Sequence, residues 1–149
     1  MQAILNTDGG ARGNPGPAGI GVVLRAGNGD PIATVARGIG VATNNVAEYA
    51  ALIEGLELAL AHGVDDIVVR LDSELVVNQV NGAWKIKDEK LRPLAVRARA
   101  LLDRFARSEV SHVRRADNAE ADGLANEGMD EIEASVDPSA ETQASLFDE

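Results

Sequence analysis

Residues 7–19 read TDGGARGNPGPAG and follow directly on the apolar run Ala3, Ile4, Leu5. A strand that ends on Asp8 and enters such a glycine-rich stretch poses the question on which the fold turns. Glycine admits positive φ and lets another chain come close to the backbone, while Pro15 and Pro17 stiffen the segment. Two readings stand: a plain turn, or a loop built to approach a ligand. The spacing does not match the phosphate-cradling GxxxxGK[ST], so that kind of nucleotide loop is excluded. Asp8 has to be read with the rest of the chain.

The 149 residues are 45% hydrophobic and 26% charged, which fits one domain with a proper core. There are no cysteines, so disulfides and thiolate zinc sites are excluded and a reducing, cytoplasmic setting is expected. The N-terminus MQAILNTD lacks a basic, then apolar, leader pattern, and no run approaches the ~20 apolar residues of a membrane span. The net charge of −10 argues at first against a nucleic-acid partner. However, residues 116–149 hold 11 acids and no Lys or Arg, leaving 13 acids against all 14 bases over residues 1–115. The acidity sits at one end and the body is balanced.

Strands are expected at residues 2–7, 19–25 and 31–39, with AGNGD as a hairpin turn between the second and third. Residues 43–61 read as a helix capped by Thr43, Asn44 and Asn45 and closed by His62 and Gly63. DIVVRLD, residues 66–72, is apolar on consecutive positions, as in a strand buried on both faces. A short helix in SELVVNQVNG, a longer one over 91–107, a strand EVSHVRR and a last helix over 118–130 follow. This order predicts an α/β fold: a five-stranded mixed sheet flanked by helices, its antiparallel meander continued by strands joined through crossovers. Residues 131–149, EIEASVDPSAETQASLFDE, are small, polar and acidic and read as a disordered tail after a domain over 1–130.

Asp8 and Asp72 each close a strand, and ligands gather beyond the carboxyl ends of strands joined by crossover helices. On the wheel of the first helix, Tyr49, Leu52, Ile53, Leu56, Ala59 and Leu60 form one stripe, with Glu48 at its border and Glu54 toward water. Glu48 reads either as a carboxylate leaning toward Asp8 and Asp72 or as a helix-dipole residue. In RRADNAEADGLAN, position alone does not choose among Asp117, Glu120 and Asp122, although Asp122 shares a face with Ala125 and Met129. Gathered carboxylates repel and are raised in pKa by burial, a penalty that a divalent cation removes. An all-oxygen donor set selects Mg²⁺, with Mn²⁺ as substitute, and two such ions suit in-line phosphodiester hydrolysis.

TDGGARGNPGPAGIG, TNNVAEYAALIEGL, LDSELVV and NAEADGLAN occur in one order across residues 1–130, and together they resemble ribonuclease H type 1, in its short-loop archaeal and actinobacterial form. The resemblance implies an RNase H-like fold and cleavage of the RNA strand of RNA/DNA hybrids, leaving 5′-phosphate and 3′-hydroxyl ends. It implies Asp8, Glu48, Asp72 and Asp122 as the catalytic, metal-binding quartet. It also implies hybrid contacts by Asn14, Asn44 and Asn45 across the minor groove and a DNA-phosphate contact by Thr43, which is compatible with capping. Gly10 and Arg12 fall in the same substrate-facing stretch.

Departures from the family pattern are equally informative. The loop histidine of many bacterial members is missing from 113–121, and Arg114, Arg115 or Asn118 are the candidates to replace it, while His112 reads as an ordinary strand residue. The basic protruding helix is reduced to Trp84, Lys85 and Lys87, where Trp84 either grips the DNA strand or packs in the core. With no further hybrid-binding segment before Met1, low processivity and a monomer are expected. QASLF, residues 143–147, resembles the peptide by which bacterial replication proteins dock on the DNA sliding clamp. Gln143, Leu146 and Phe147 would be its anchors, and a solubilising tail is the other reading. The alternatives in function are a nuclease acting on double-stranded RNA or branched DNA, and a non-catalytic hybrid-binding module.

Overall fold

The computed structural model describes residues 1–135, so QASLF lies outside the described residues. Five strands, β1 (Gln2–Ala11), β2 (Gly16–Ala26), β3 (Pro31–Ala42), β4 (Asp66–Leu71) and β5 (Arg107–His112), form one sheet in the order β3-β2-β1-β4-β5. β1, β2 and β3 pair antiparallel, and β4 and β5 continue the sheet in parallel. The helices are α1 (Asn44–Ala61), α2 (Glu74–Val80), α3 (Arg92–Leu102) and α4 (Ala119–Ser135), the last entered through a 3₁₀ turn, Arg115–Asn118. None of the described helices is long and apolar enough to cross a membrane.

The expected five-stranded mixed α/β sheet is therefore present, with four differences. β1 does not end at Asp8 but runs through Gly9 and Gly10 to Ala11, because the glycines serve strand packing rather than a turn. A Cβ on Gly9 would lie 2.1 Å from the Ala47 carbonyl oxygen of α1, so only glycine lets the helix come this close. The turn proper is residues 12–15, with Gly13 at φ +100° and a cis Asn14–Pro15 bond. β4 alternates, burying Ile67, Val69 and Leu71 while Arg70 is exposed, so it is covered on one face only. α3 stops at Leu102 and the chain turns through residues 103–106 before β5.

The fourth difference is α4, which continues past residue 130 to Ser135. Glu131 accepts the Gly38 N–H at 3.0 Å and Ile132 covers Gly38, so the first residues of the supposed tail belong to the fold. The two sheet faces differ in kind. α1, with α2 and α3 beside it, seals the main core over Leu5, Val22, Leu24, Ile67, Val69 and Leu71. α4 lies on the other face against β1, β2 and β3, close enough that a Cβ on Gly21 would be 2.1 Å from the Ala121 carbonyl. It does not extend over β4 and β5, and the step at its edge is the cleft described next.

Candidate active site

The parallel register carries the first two carboxylates to one place. β1 pairs with β4 from Gln2↔Asp66 to Asn6↔Arg70, and the same offset two residues further on sets Asp8 beside Asp72, just where the ladder has ended. Along β1 the side-chain direction alternates: Gly9 faces α1 and Gly10 faces Met129 of α4. Asp8 therefore points to the α4 side, into the step left beside the uncovered β4. Glu48 comes from the first turns of α1, whose start is set by the Thr43 hydroxyl accepting the Val46 N–H at 3.2 Å. It is 6% exposed, more buried than the border of a stripe would suggest, and its Oε1 accepts the Gly9 N–H at 3.1 Å.

Oxygen atoms of Asp8, Glu48 and Asp72 all lie within 4.8 Å of one another. Asp122, on the first turn of α4, lines the same cleft and adds its charge to the field around Asp8 and Glu48, while Arg115 donates to Asp122 at 3.4 Å. The structure also separates Asp122 from its neighbours: Asp117 pairs with Arg114 and Glu120 with Arg25, both at the surface. Burial first, then the charge of Asp72, pushes the Glu48 carboxyl up to about 8. Burial first, then Glu48, Asp72 and Asp122, holds Asp8 well above the usual carboxylate range. Without a cation these charges oppose one another, and hard carboxylate donors are what a divalent oxygen-seeking ion requires, so the residues fit such an ion.

The group sits in a cleft of about 610 Å³ that Gly10, Asn44, His112, Arg114, Arg115 and Asn126 also line. Asn14 Oδ1 accepts the Asn44 N–H at 2.9 Å and Asn44 Oδ1 accepts the Ala11 N–H at 3.4 Å, which ties the glycine turn to the start of α1. Asn14, Asn44 and Asn45 are all exposed, and Asn44 lines the cleft. Arg12 is turned toward α4, where Asp130, Glu133 and Asn126 engage its guanidinium. Trp84 is not a core residue: it is 44% exposed and borders a groove with Lys85, Arg92, Val96 and Arg99.

Three assignments change. Glu54 does not simply face water but pairs with Arg37 of β3. Asn118 is buried and bonded to β1, so it cannot stand in for a mobile loop histidine, whereas Arg114 and Arg115 border the carboxylates. His112, read as an ordinary strand residue, ends β5 opposite Leu71 and reaches the cleft. The signal for it was available, since β5 is parallel to β4 and its carboxyl end falls on the same edge as Asp72.

Carboxylates gathered in an open cleft at the carboxyl edge of a mixed sheet, bordered by arginines and amides, make a donor set suited to divalent cations. Residues 6–128 match the family described as Reverse transcriptase-like, and the chain is 33% identical over 142 residues to ribonuclease H of Bordetella pertussis, covering 87% of this chain and 90% of that protein. The chain belongs to the ribonuclease H family, a metal-dependent one. It is 52% identical over 124 residues to ribonuclease HI of Halobacterium salinarum, covering 83% of this chain. The crystal structure of that RNase H1 superposes with a TM-score of 0.86 at 50% identity, over 88% of this chain and 99% of the other. LC11-RNase H1, solved in complex with an RNA/DNA hybrid, superposes with a TM-score of 0.82 at 42% identity, over 87% and 97%. The chain spans 62% of the length of the curated Halobacterium protein and 36% of a related bifunctional protein of Mycobacterium tuberculosis.

Proposed function

We propose that the protein is an endonuclease that hydrolyses the RNA strand of RNA/DNA hybrids, leaving 5′-phosphate and 3′-hydroxyl ends. The observation that carries the reading is the Asp8–Glu48–Asp72 group within 4.8 Å, with Asp122 lining the same cleft beside the exposed Asn44. A related protein of the same fold, LC11-RNase H1, has been crystallised with such a hybrid, which supports the substrate class. Asp8, Glu48, Asp72 and Asp122 would hold two Mg²⁺ ions, or Mn²⁺ in their place. Bound there, the ions would supply charge neutralisation of the scissile phosphate and activation of the attacking water.

The protein's own residues do the rest. Glu48, held by the Gly9 N–H, keeps its carboxylate directed at the Asp8 side of the cleft. Asn14, Asn44 and Asn45 present amides at the height of a minor groove, where they test for 2′-hydroxyls without reading bases. Arg115, already on Asp122, and Arg114 place positive charge beside the phosphate and take the position left by the missing loop histidine. Trp84, with Lys85, Arg92 and Arg99, offers an aromatic face and cations to the DNA strand. Gln143, Leu146 and Phe147 form a docking peptide for the sliding clamp.

A binding module without chemistry would have no use for gathered negative charge facing phosphate. The test incubates the protein with Mg²⁺ or Mn²⁺ and matched RNA/DNA hybrid, duplex RNA and duplex DNA. Cleavage confined to the RNA of the hybrid is expected. Equal cleavage of duplex DNA would refute the substrate assignment, and comparable cleavage of duplex RNA would widen it to double-stranded RNA.

A further inference from the structure

Asn118 closes the 3₁₀ turn four residues before Asp122 and is 2% exposed. A buried amide is tolerated only when its polar atoms are paired, since an orphaned one keeps the full cost of leaving water. Here both ends are used. Nδ2 donates to the Thr7 carbonyl at 2.9 Å, and Oδ1 accepts from Asn6 Nδ2 at 2.9 Å. The two partners are the β1 residues immediately before Asp8. They also mark the point where β1 loses β4, because that ladder ends at Asn6↔Arg70.

The remaining contacts near this end of α4 are of a different kind. Ala121 lies on Gly21 backbone to backbone, which sets how close this end of the helix comes to the sheet. Asp117 and Glu120 pair with Arg114 and Arg25 at the surface, where ion pairs hold geometry weakly. A side chain bonded at both its donor and its acceptor fixes register as well as distance. Asn118 does not itself border the cleft, so it cannot act on substrate directly.

We infer that Asn118 is a positioning residue: its two bonds to β1 lock the segment carrying Arg115 and Asp122 to the strand carrying Asp8, and so set the spacing of the Asp8–Asp122 pair. The inference rests on reading those carboxylates as a cation site. The test compares Asn118→Ala, Asn118→Asp and Asn6→Ala. The Asp variant keeps an acceptor for Asn6 but sets a carboxylate oxygen against the Thr7 carbonyl, and the Asn6 variant removes one bond only. Each is measured by a Mn²⁺ binding isotherm without nucleic acid, by kcat and KM on hybrid, and by melting in EDTA.

Outer partners of metal ligands typically change metal affinity or activity by about 10- to 100-fold when removed. Asn118→Ala is expected to weaken Mn²⁺ binding and lower kcat by about that factor, with KM for hybrid near wild type. Asn118→Asp is expected to lose at least as much, and Asn6→Ala less. If Asn118→Ala only lowers the melting temperature, and well below it binds Mn²⁺ and turns over like wild type, the inference is overturned. Should Asn118→Ala not fold, Asn6→Ala decides in the same way, with unchanged Mn²⁺ affinity and kcat counting against it. A wild-type protein that bound Mn²⁺ but cleaved no hybrid would count against the nuclease reading alone, because the isotherm needs no nucleic acid.

Discussion

Glu48→Gln is expected to stabilise the metal-free protein at pH 8 while ending cleavage. Glu48 is 6% exposed, and burial followed by the Asp72 charge raises its carboxyl from 4.5 to about 8. A carboxyl with a higher pKa in the folded chain than in the unfolded one holds its proton more tightly when folded. Between about pH 4.5 and 8 the unfolded chain has released that proton and the folded chain has not, so stability falls as pH rises through the window. Above about 8 the loss is complete. At about 1.4 kcal/mol per pH unit the shift has an upper bound of about 5 kcal/mol, and relaxation and water entry in an open cleft reduce the expected value to roughly 1–3 kcal/mol. Glutamine retains an oxygen for the Gly9 N–H, so the substitution removes the charge and keeps the hydrogen bond. In a chain of this length the gain corresponds to a rise in Tm of roughly 2–10 °C. Melting curves in EDTA at pH 4.5, 6.5 and 8 would show a small difference at the lowest pH that widens upward, and added Mg²⁺ would favour the wild type. A variant Tm in EDTA at pH 8 no higher than that of wild type would refute the reasoning.

Asp72→Asn is expected to reduce hybrid cleavage to background while the circular dichroism spectrum and hybrid binding persist; retained cleavage would remove Asp72 from the cation site. Gly21→Ala sets a Cβ 2.1 Å from the Ala121 carbonyl, with only backbone to yield. The cost is about 1–3 kcal/mol or more in urea unfolding, and activity falls further because Asp122 travels with α4. Trp84→Ala is expected to leave Tm nearly unchanged, since the ring is exposed, and to raise KM for hybrid several-fold, given that a stacked base contributes about 1–3 kcal/mol. Ending the chain at Asp130 removes the Glu131 bond to Gly38, the Ile132 cover and the Glu133 pair with Arg12, so a lower Tm is expected than for a chain ending at Ser135. Deleting residues 142–149 is expected to abolish binding to the sliding clamp and to spare hydrolysis of a short hybrid; unchanged clamp affinity would sink that assignment.

What could be read from the sequence is what short-range chemistry encodes, and the misreadings fall where a residue's environment forms only on folding. Asp72 and the Glu48 helix start were legible because strand ends and helix caps are local signals, whereas the strand end read at Asp8 does not exist, since β1 runs on to Ala11. The β1–β4 offset that brings Asp8 to Asp72 is not local, and no periodicity states it. Gly9 and Gly10 carry a turn signal in isolation, yet their lack of side chains is used by α1 and α4, neither of which adjoins them in sequence. Glu131, Ile132 and Glu133 have the composition of a solvated tail until Gly38 and Arg12 supply partners from roughly a hundred residues earlier. β4 read as buried on both faces because its apolar run is continuous, but α4 stops short of it. The same uncovered face is why the cleft exists: a helix extended over β4 would have matched the apolar run and closed off the carboxylates. The mismatch between sequence pattern and burial at β4 is therefore a mark of the site itself, consistent with local rules failing first where a surface is reserved for a ligand.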